Sequence, residues 1–207
     1  MSEIYGNQDI LHLQSMKILY IHGLSSSGNS GTAERLRRLL PDDIIFSPDL
    51  PVEPLEALEM LKQLVTEEGI ELMIGTSMGG MFAQKLRGIR KILVNPSFHV
   101  SQSMRRKLGV NKFFSERQDG ISEYEITPEL CDRYERLEKT QCLSYSDEER
   151  DNATALFGTE DDTVNCREEY CEHYTMYALF PGGHRLTEDM IRDYAIPIIE
   201  KQRIIIK

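Results

Sequence analysis

Short apolar runs alternate with stretches of helical periodicity along most of the chain. Lys17–Ile21 (KILYI) is apolar and bounded by glycine, the pattern of a strand buried on both faces. Residues 32–40 (TAERLRRLL) have helical spacing and stop at Pro41. A second strand is predicted at 43–47, ended by the proline-bearing SPDLPVEP. A helix follows over 55–68, where Leu55, Leu58, Leu61, Leu64 and Val65 build one apolar face. Residues 70–75 (IELMIG) and 91–95 (KILVN) read as strands around a helix at 78–88, and 154–157 and Met176–Phe180 as two more. A closing helix spans 188–201, with a break or kink expected at Pro197.

Such alternation with short joins predicts an α/β fold: a three-layer α/β/α sandwich on a mostly parallel sheet of about six strands. Residues 1–207 form one domain on this reading. Residues 96–151 break the rhythm. They are richer in charge, carry weak helical patches at 128–139 and 147–152, and contain no clear strand, which predicts a cap-like insertion over one end of the sheet. Residues 10–13 could add an edge strand.

Composition narrows the function. A net charge of −10 argues against a nucleic-acid partner. With no apolar run of about 18 residues, no membrane span is expected. The acidic, polar start lacks the pattern of a signal peptide, so a cytoplasmic location is expected. Cys131, Cys142, Cys166 and Cys171 show no C-x-x-C spacing and read as reduced thiols; no metal or cofactor is implied.

The chemistry concentrates at Gly75-Thr76-Ser77-Met78-Gly79, a G-x-S-x-G match. A chain this long shows one by accident roughly 7% of the time, so context decides. Here a strand precedes and a helix follows, as a nucleophile elbow requires. The turn would hold Ser77 at strained angles, with Gly75 and Gly79 meeting where no side chain fits. A serine needs a base and an orienter. The order Ser, acid, His is supplied by Asp161 in GTEDDTV and His184 in PGGHRLT, each after a predicted strand. Spacing from Gly158 and Val164 favours Asp161 over Asp162 and Glu160. His12, His99 and His173 have no supporting motif. His22, in YIHGLSSSG, reads as an orienting side chain for its loop rather than the base. Backbone N–H groups of Met78 and Leu24 would form the oxyanion hole, with Gly23 permitting the turn. Phe98, Met104, Leu108, Phe113 and Phe114 are candidates for an apolar substrate wall. Arg105, Arg106 and Lys107 read as a solvated helix face.

These landmarks, YIHGLSSSGNS, GTSMGG, VNPS, GTEDDTV and GGHRLT, resemble the alpha/beta-hydrolase superfamily and, within it, the small bacterial serine esterases of the YqiA-like branch. The resemblance covers Leu19 to Thr187. It implies metal-free hydrolysis of a small-molecule ester or thioester by Ser77, His184 and Asp161, with Asn95-Pro96 structural. Alternatives with the same fold are an acyl-CoA thioesterase, a serine peptidase, or a non-catalytic binding protein.

Overall fold

The computed structural model describes residues 15–205. The candidate edge strand at 10–13, and His12 with it, lies outside them. In chain order the elements are β1 (Lys17–Ile21), α1 (Gly31–Leu39), β2 (Ile44–Phe46), α2 (Pro54–Glu68), β3 (Leu72–Thr76), α3 (Met78–Lys85) and β4 (Arg90–Val94). Next come α4 (Val100–Arg105), β5 (Gly109–Lys112), β6 (Glu123–Ile126), α5 (Pro128–Glu138) and α6 (Asp147–Asp151). The chain finishes with β7 (Ala153–Gly158), α7 (Arg167–His173), β8 (Met176–Phe180), α8 (Glu188–Met190), a π-helical turn at Ile191–Ala195 and α9 (Ile196–Ile205).

Six strands form one parallel sheet in the order β2-β1-β3-β4-β7-β8, the predicted α/β sandwich. Side chains alternate across a strand, so each of the four inner strands feeds two cores. Leu19, Ile21, Met73 and Leu93 pack on one face with Ala57 and Leu61 of α2 and Phe82 of α3. Ile18, Tyr20, Leu72, Ile74 and Ile92 pack on the other with Ala33 and Leu36 of α1 and Ile199 of α9. The strand order reverses between β1 and β3, where the chain first winds outward to β2 and then back past β1. Loops leaving the carboxyl ends of these two strands diverge there and leave a crevice.

Three local expectations need correction. The helix expected over 78–88 stops at Lys85, because Leu86 turns extended to bury its side chain (φ −94°, ψ 113°), and Gly88 takes φ +74° to enter β4. Around Pro197 the helix does not break; the disturbance is the π-helical turn immediately before it. A proline ring crowds the carbonyl four residues back, and a π turn is one way a helix absorbs such an irregularity. Finally, 96–151 does contain strands: β5 and β6 form an antiparallel ribbon. Only β6 carries a buried face, Tyr124 and Ile126, while Val110 on β5 is 70% exposed, so β5 exists through pairing rather than burial.

This ribbon is anchored to the loop after β1. Phe114 N–H donates to Ser25 O at 2.7 Å, and Ser27 Oγ donates to Glu116 O at 2.9 Å. Arg117, stacked on Phe113, donates to Leu50 O at 3.1 Å. No described helix is long and apolar enough to cross a membrane.

Candidate active site

Ser77 sits between the last residue of β3 and the first of α3 at φ 53°, ψ −116°. Few non-glycine residues tolerate this region, and it is held only where surroundings over-determine it. The surroundings are visible. Ser77 N–H donates to Val94 O at 3.0 Å, and Ser77 O accepts from Ser97 N–H at 3.1 Å. A Cβ at Gly75 would lie 2.6 Å from Gly79 O, and one at Gly79 would lie 1.9 Å from Ile21 O. A Cβ on Gly80 would meet Pro96 at 2.8 Å. The three glycines therefore permit close backbone approach rather than flexibility. Ser77 Oγ has no hydrogen-bond partner among the described residues.

Asp161 and His184 leave the ends of neighbouring strands, β7 and β8. Asp161 Oδ2 accepts from His184 Nδ1 at 2.8 Å. Asp161 Oδ1 accepts from the N–H groups of Thr163 (2.8 Å) and Val164 (3.1 Å). Its side chain is only 3% exposed. Burial acts to raise its pKa, but the His184 bond and the two N–H donors outweigh it and leave the carboxyl below its ordinary value. Asp162 reaches only the Thr163 hydroxyl. With Nδ1–H committed to Asp161, Nε2 is the ring nitrogen left without a partner among the described residues.

Asn95, just past β4, was legible in the sequence only as part of a strand-end motif. Buried and at φ 43°, it links the two loops. Its amide nitrogen donates to Gly183 O and His184 O, both at 3.2 Å, and its oxygen accepts from Gly158 N–H at 2.8 Å. Nothing in local periodicity signals this bracket, since its partners lie 63 to 89 residues away.

On the other side of Ser77 runs the loop after β1. A Cβ on Gly23 would touch Ser77 Cβ at 3.4 Å, so this loop lies against Ser77. His22 is 2% exposed. Its Nδ1 donates to Gly23 O at 2.9 Å and its Nε2 accepts from Leu50 N–H at 3.2 Å. Burial pushes its pKa down to about 4, so it is neutral and fully engaged. Leu24 and Met78 both line a small cavity, and neither backbone N–H has an acceptor among the described residues.

The remaining candidates scatter. Phe113 and Met104 line that cavity. Phe98 is buried and stacks on His173, Phe114 is 66% exposed beneath Arg185, and Leu108 is 54% exposed. His99 pairs with Glu169 at 2.8 Å, and Arg105 pairs with Asp132 and Glu135 of α5. A larger groove of about 810 Å³ runs past His99, Arg105 and Tyr145, but none of Ser77, Asp161 or His184 lines it.

The model of the uncharacterised protein family UPF0227 matches residues 17–185. Among solved structures, Est1E from Butyrivibrio proteoclasticus is similar, with 13% identity over 91% of this chain and 88% of that one, at a TM-score of 0.61. A structure described under LipS and LipT, two metagenome-derived lipolytic enzymes, shares 16% identity over 91% of this chain and 94% of its own, at 0.60. The esterase EaEST from Exiguobacterium antarcticum shares 13% identity over 92% of each chain, at 0.54. The fold is a small alpha/beta-hydrolase fold.

Proposed function

We propose an activity for this chain, which belongs to the uncharacterised protein family UPF0227: it is a serine hydrolase that cleaves small carboxylic esters through an acyl-enzyme. The observation that carries the reading is the 2.8 Å Asp161–His184 hydrogen bond, in a loop that Asn95 ties to the end of β4, the strand paired with the one leading into Ser77 at φ 53°. Names of similarly folded proteins, an esterase and lipolytic enzymes, agree with it.

In this mechanism Ser77 Oγ attacks the acyl carbonyl carbon while His184 Nε2 takes the hydroxyl proton. Asp161 keeps Nδ1 protonated and stabilises the imidazolium that forms. Oxyanion charge is taken up by the Leu24 and Met78 N–H groups, which cost little to reorganise because the backbone already holds them. His184 then protonates the leaving alkoxide, the C–O bond breaks, and Ser77 is left acylated. Water repeats the sequence, giving its proton to His184, and the acid departs with Ser77 regenerated. The Ser77–His184 contact need not be short beforehand, since such bonds commonly tighten only with substrate bound.

The test is turnover of a p-nitrophenyl ester together with labelling by a fluorophosphonate. Ser77→Ala is expected to abolish labelling and to lower kcat by roughly 10⁴- to 10⁶-fold. Unchanged turnover in Ser77→Ala would sink the assignment, and an unreactive Ser77 in the wild type would favour a non-catalytic binding protein.

A further inference from the structure

The cavity beside Leu24 and Met78 points to the substrate's acyl half. This argument rests on the serine-hydrolase reading above. Three directions leave an attacked carbonyl carbon besides the Ser77 bond. Its oxygen must face the Leu24 and Met78 N–H groups. Its leaving group must face His184, which supplies the proton. The acyl substituent takes the remaining direction, away from His184. Ser77 itself does not line the cavity, but Met78 follows it in the chain and the Gly23–Leu24 loop lies against it; no residue of the Asp161 or His184 loops contributes to the wall.

We infer that this cavity is an acyl pocket that admits an acetyl group, at most a propionyl group, and rejects longer or branched acyl chains. Its volume is about 20 Å³. A space of roughly 10–15 Å³ holds one water-sized group, so there is room for one methyl and little more. The far wall is solid: Met104 is 0% and Tyr134 1% exposed, and the Tyr134 ring packs edge-on against Phe82 at 6.2 Å.

The polar side chains of the wall are bonded to neighbours. The Ser25 and Tyr124 hydroxyls are bonded to each other at 2.6 Å. Tyr134 donates to Val52 O at 3.2 Å and contacts Met78 Sδ at 3.6 Å. His22 is engaged at both ring nitrogens. Every polar side chain lining the pocket thus has a partner, and the Ser25–Tyr124 pair keeps one hydroxyl proton over, because a bond between two hydroxyls uses only one of their two. The residues that set the depth come largely from 96–151: Met104, Phe113, Tyr124 and Tyr134. Selectivity therefore resides in a segment separate from the nucleophile, acid and base.

The experiment compares kcat/KM for p-nitrophenyl acetate, butyrate and octanoate in the full chain. A methylene that a pocket cannot house costs about 10- to 200-fold, so acetate should exceed octanoate by at least about 100-fold. Met104→Ala should raise the butyrate-to-acetate ratio at least about tenfold by deepening the pocket. Phe113→Ala, at a partly buried position, should move the ratio the same way and serves if Met104→Ala does not fold. Equal turnover of octanoate and acetate by the wild type overturns the proposal, as does a ratio unmoved in both variants. Acetate turnover that survives Ser77→Ala instead overturns the nucleophile assignment, and the pocket assignment falls with it.

Discussion

His22 should make the fold sensitive to mild acid. Buried at 2% exposure, its imidazole donates to Gly23 O and accepts from Leu50 N–H. Burial is the main cause of the low pKa, about 4 against an ordinary 6.5; Arg117 lowers it further, while the Gly23 carbonyl and Asp49 pull upward. Between these two values the unfolded chain carries a proton on this ring and the folded chain does not. Stability is therefore full above pH 6.5 and falls as pH drops towards 4. At 1.36 kcal/mol per unit, the whole shift corresponds to about 3 kcal/mol, of which roughly 2 kcal/mol is lost between about pH 7 and about pH 5. Urea unfolding followed by circular dichroism at those two pH values measures it. His22→Gln keeps a neutral donor and acceptor but cannot titrate, so its stability should fall by at least 1 kcal/mol less, in round terms about half the wild-type loss. If wild type and variant lose the same stability over that interval, the reasoning is refuted. Comparing the two also cancels whatever is common to both proteins over that interval.

Other outcomes follow from the same geometry. Asp161→Asn should lower kcat by about 10⁴-fold with little change in KM, because the amide favours the wrong tautomer of His184; a drop in KM-dependent terms alone would contradict this in steady-state kinetics. Gly79→Ala places a methyl 1.9 Å from Ile21 O, and urea titration should show a loss of at least about 3 kcal/mol or no soluble protein. Lys91 and Glu149 form a buried pair at 3.0 Å, with side chains 0% and 9% exposed. Lys91→Met should therefore cost about 3–5 kcal/mol by stranding the carboxylate, and adding Glu149→Gln, which can still accept from Gly88 N–H, should recover more than half of it.

The four inner strands of the sheet were readable because they are buried on both faces. KILYI and KILVN announce themselves as apolar runs, and each supplies both cores. The elbow was readable because close backbone approach demands glycine at fixed offsets from Ser77. Other features depend on distant partners and leave weaker local traces. EYEI alternates as a strand should, with Tyr124 and Ile126 buried, but four residues are too few to stand out, and GVNK has no apolar face at all. Asp161 could be preferred over its acidic neighbours by spacing, yet only the folded turn shows its Oδ1 taken up by Thr163 and Val164. Asn95 was invisible as a bracket because an isolated asparagine after a strand has many uses.

Strands β4 and β7 are parallel neighbours, so the chain between them has to cross from one end of the sheet to the other whatever else it does. A single helix would complete that journey. The extra length, α4 with the β5–β6 ribbon, is surplus to the sheet's connectivity and can lengthen, shrink or be exchanged without changing a strand register. On the proposed reading of the site, reaction and preference are thus written in separable stretches of the gene. Recombination or loop grafting within 98–126 offers a route to altered taste in substrates, provided the ribbon's grip on Ser25 and Ser27 is kept.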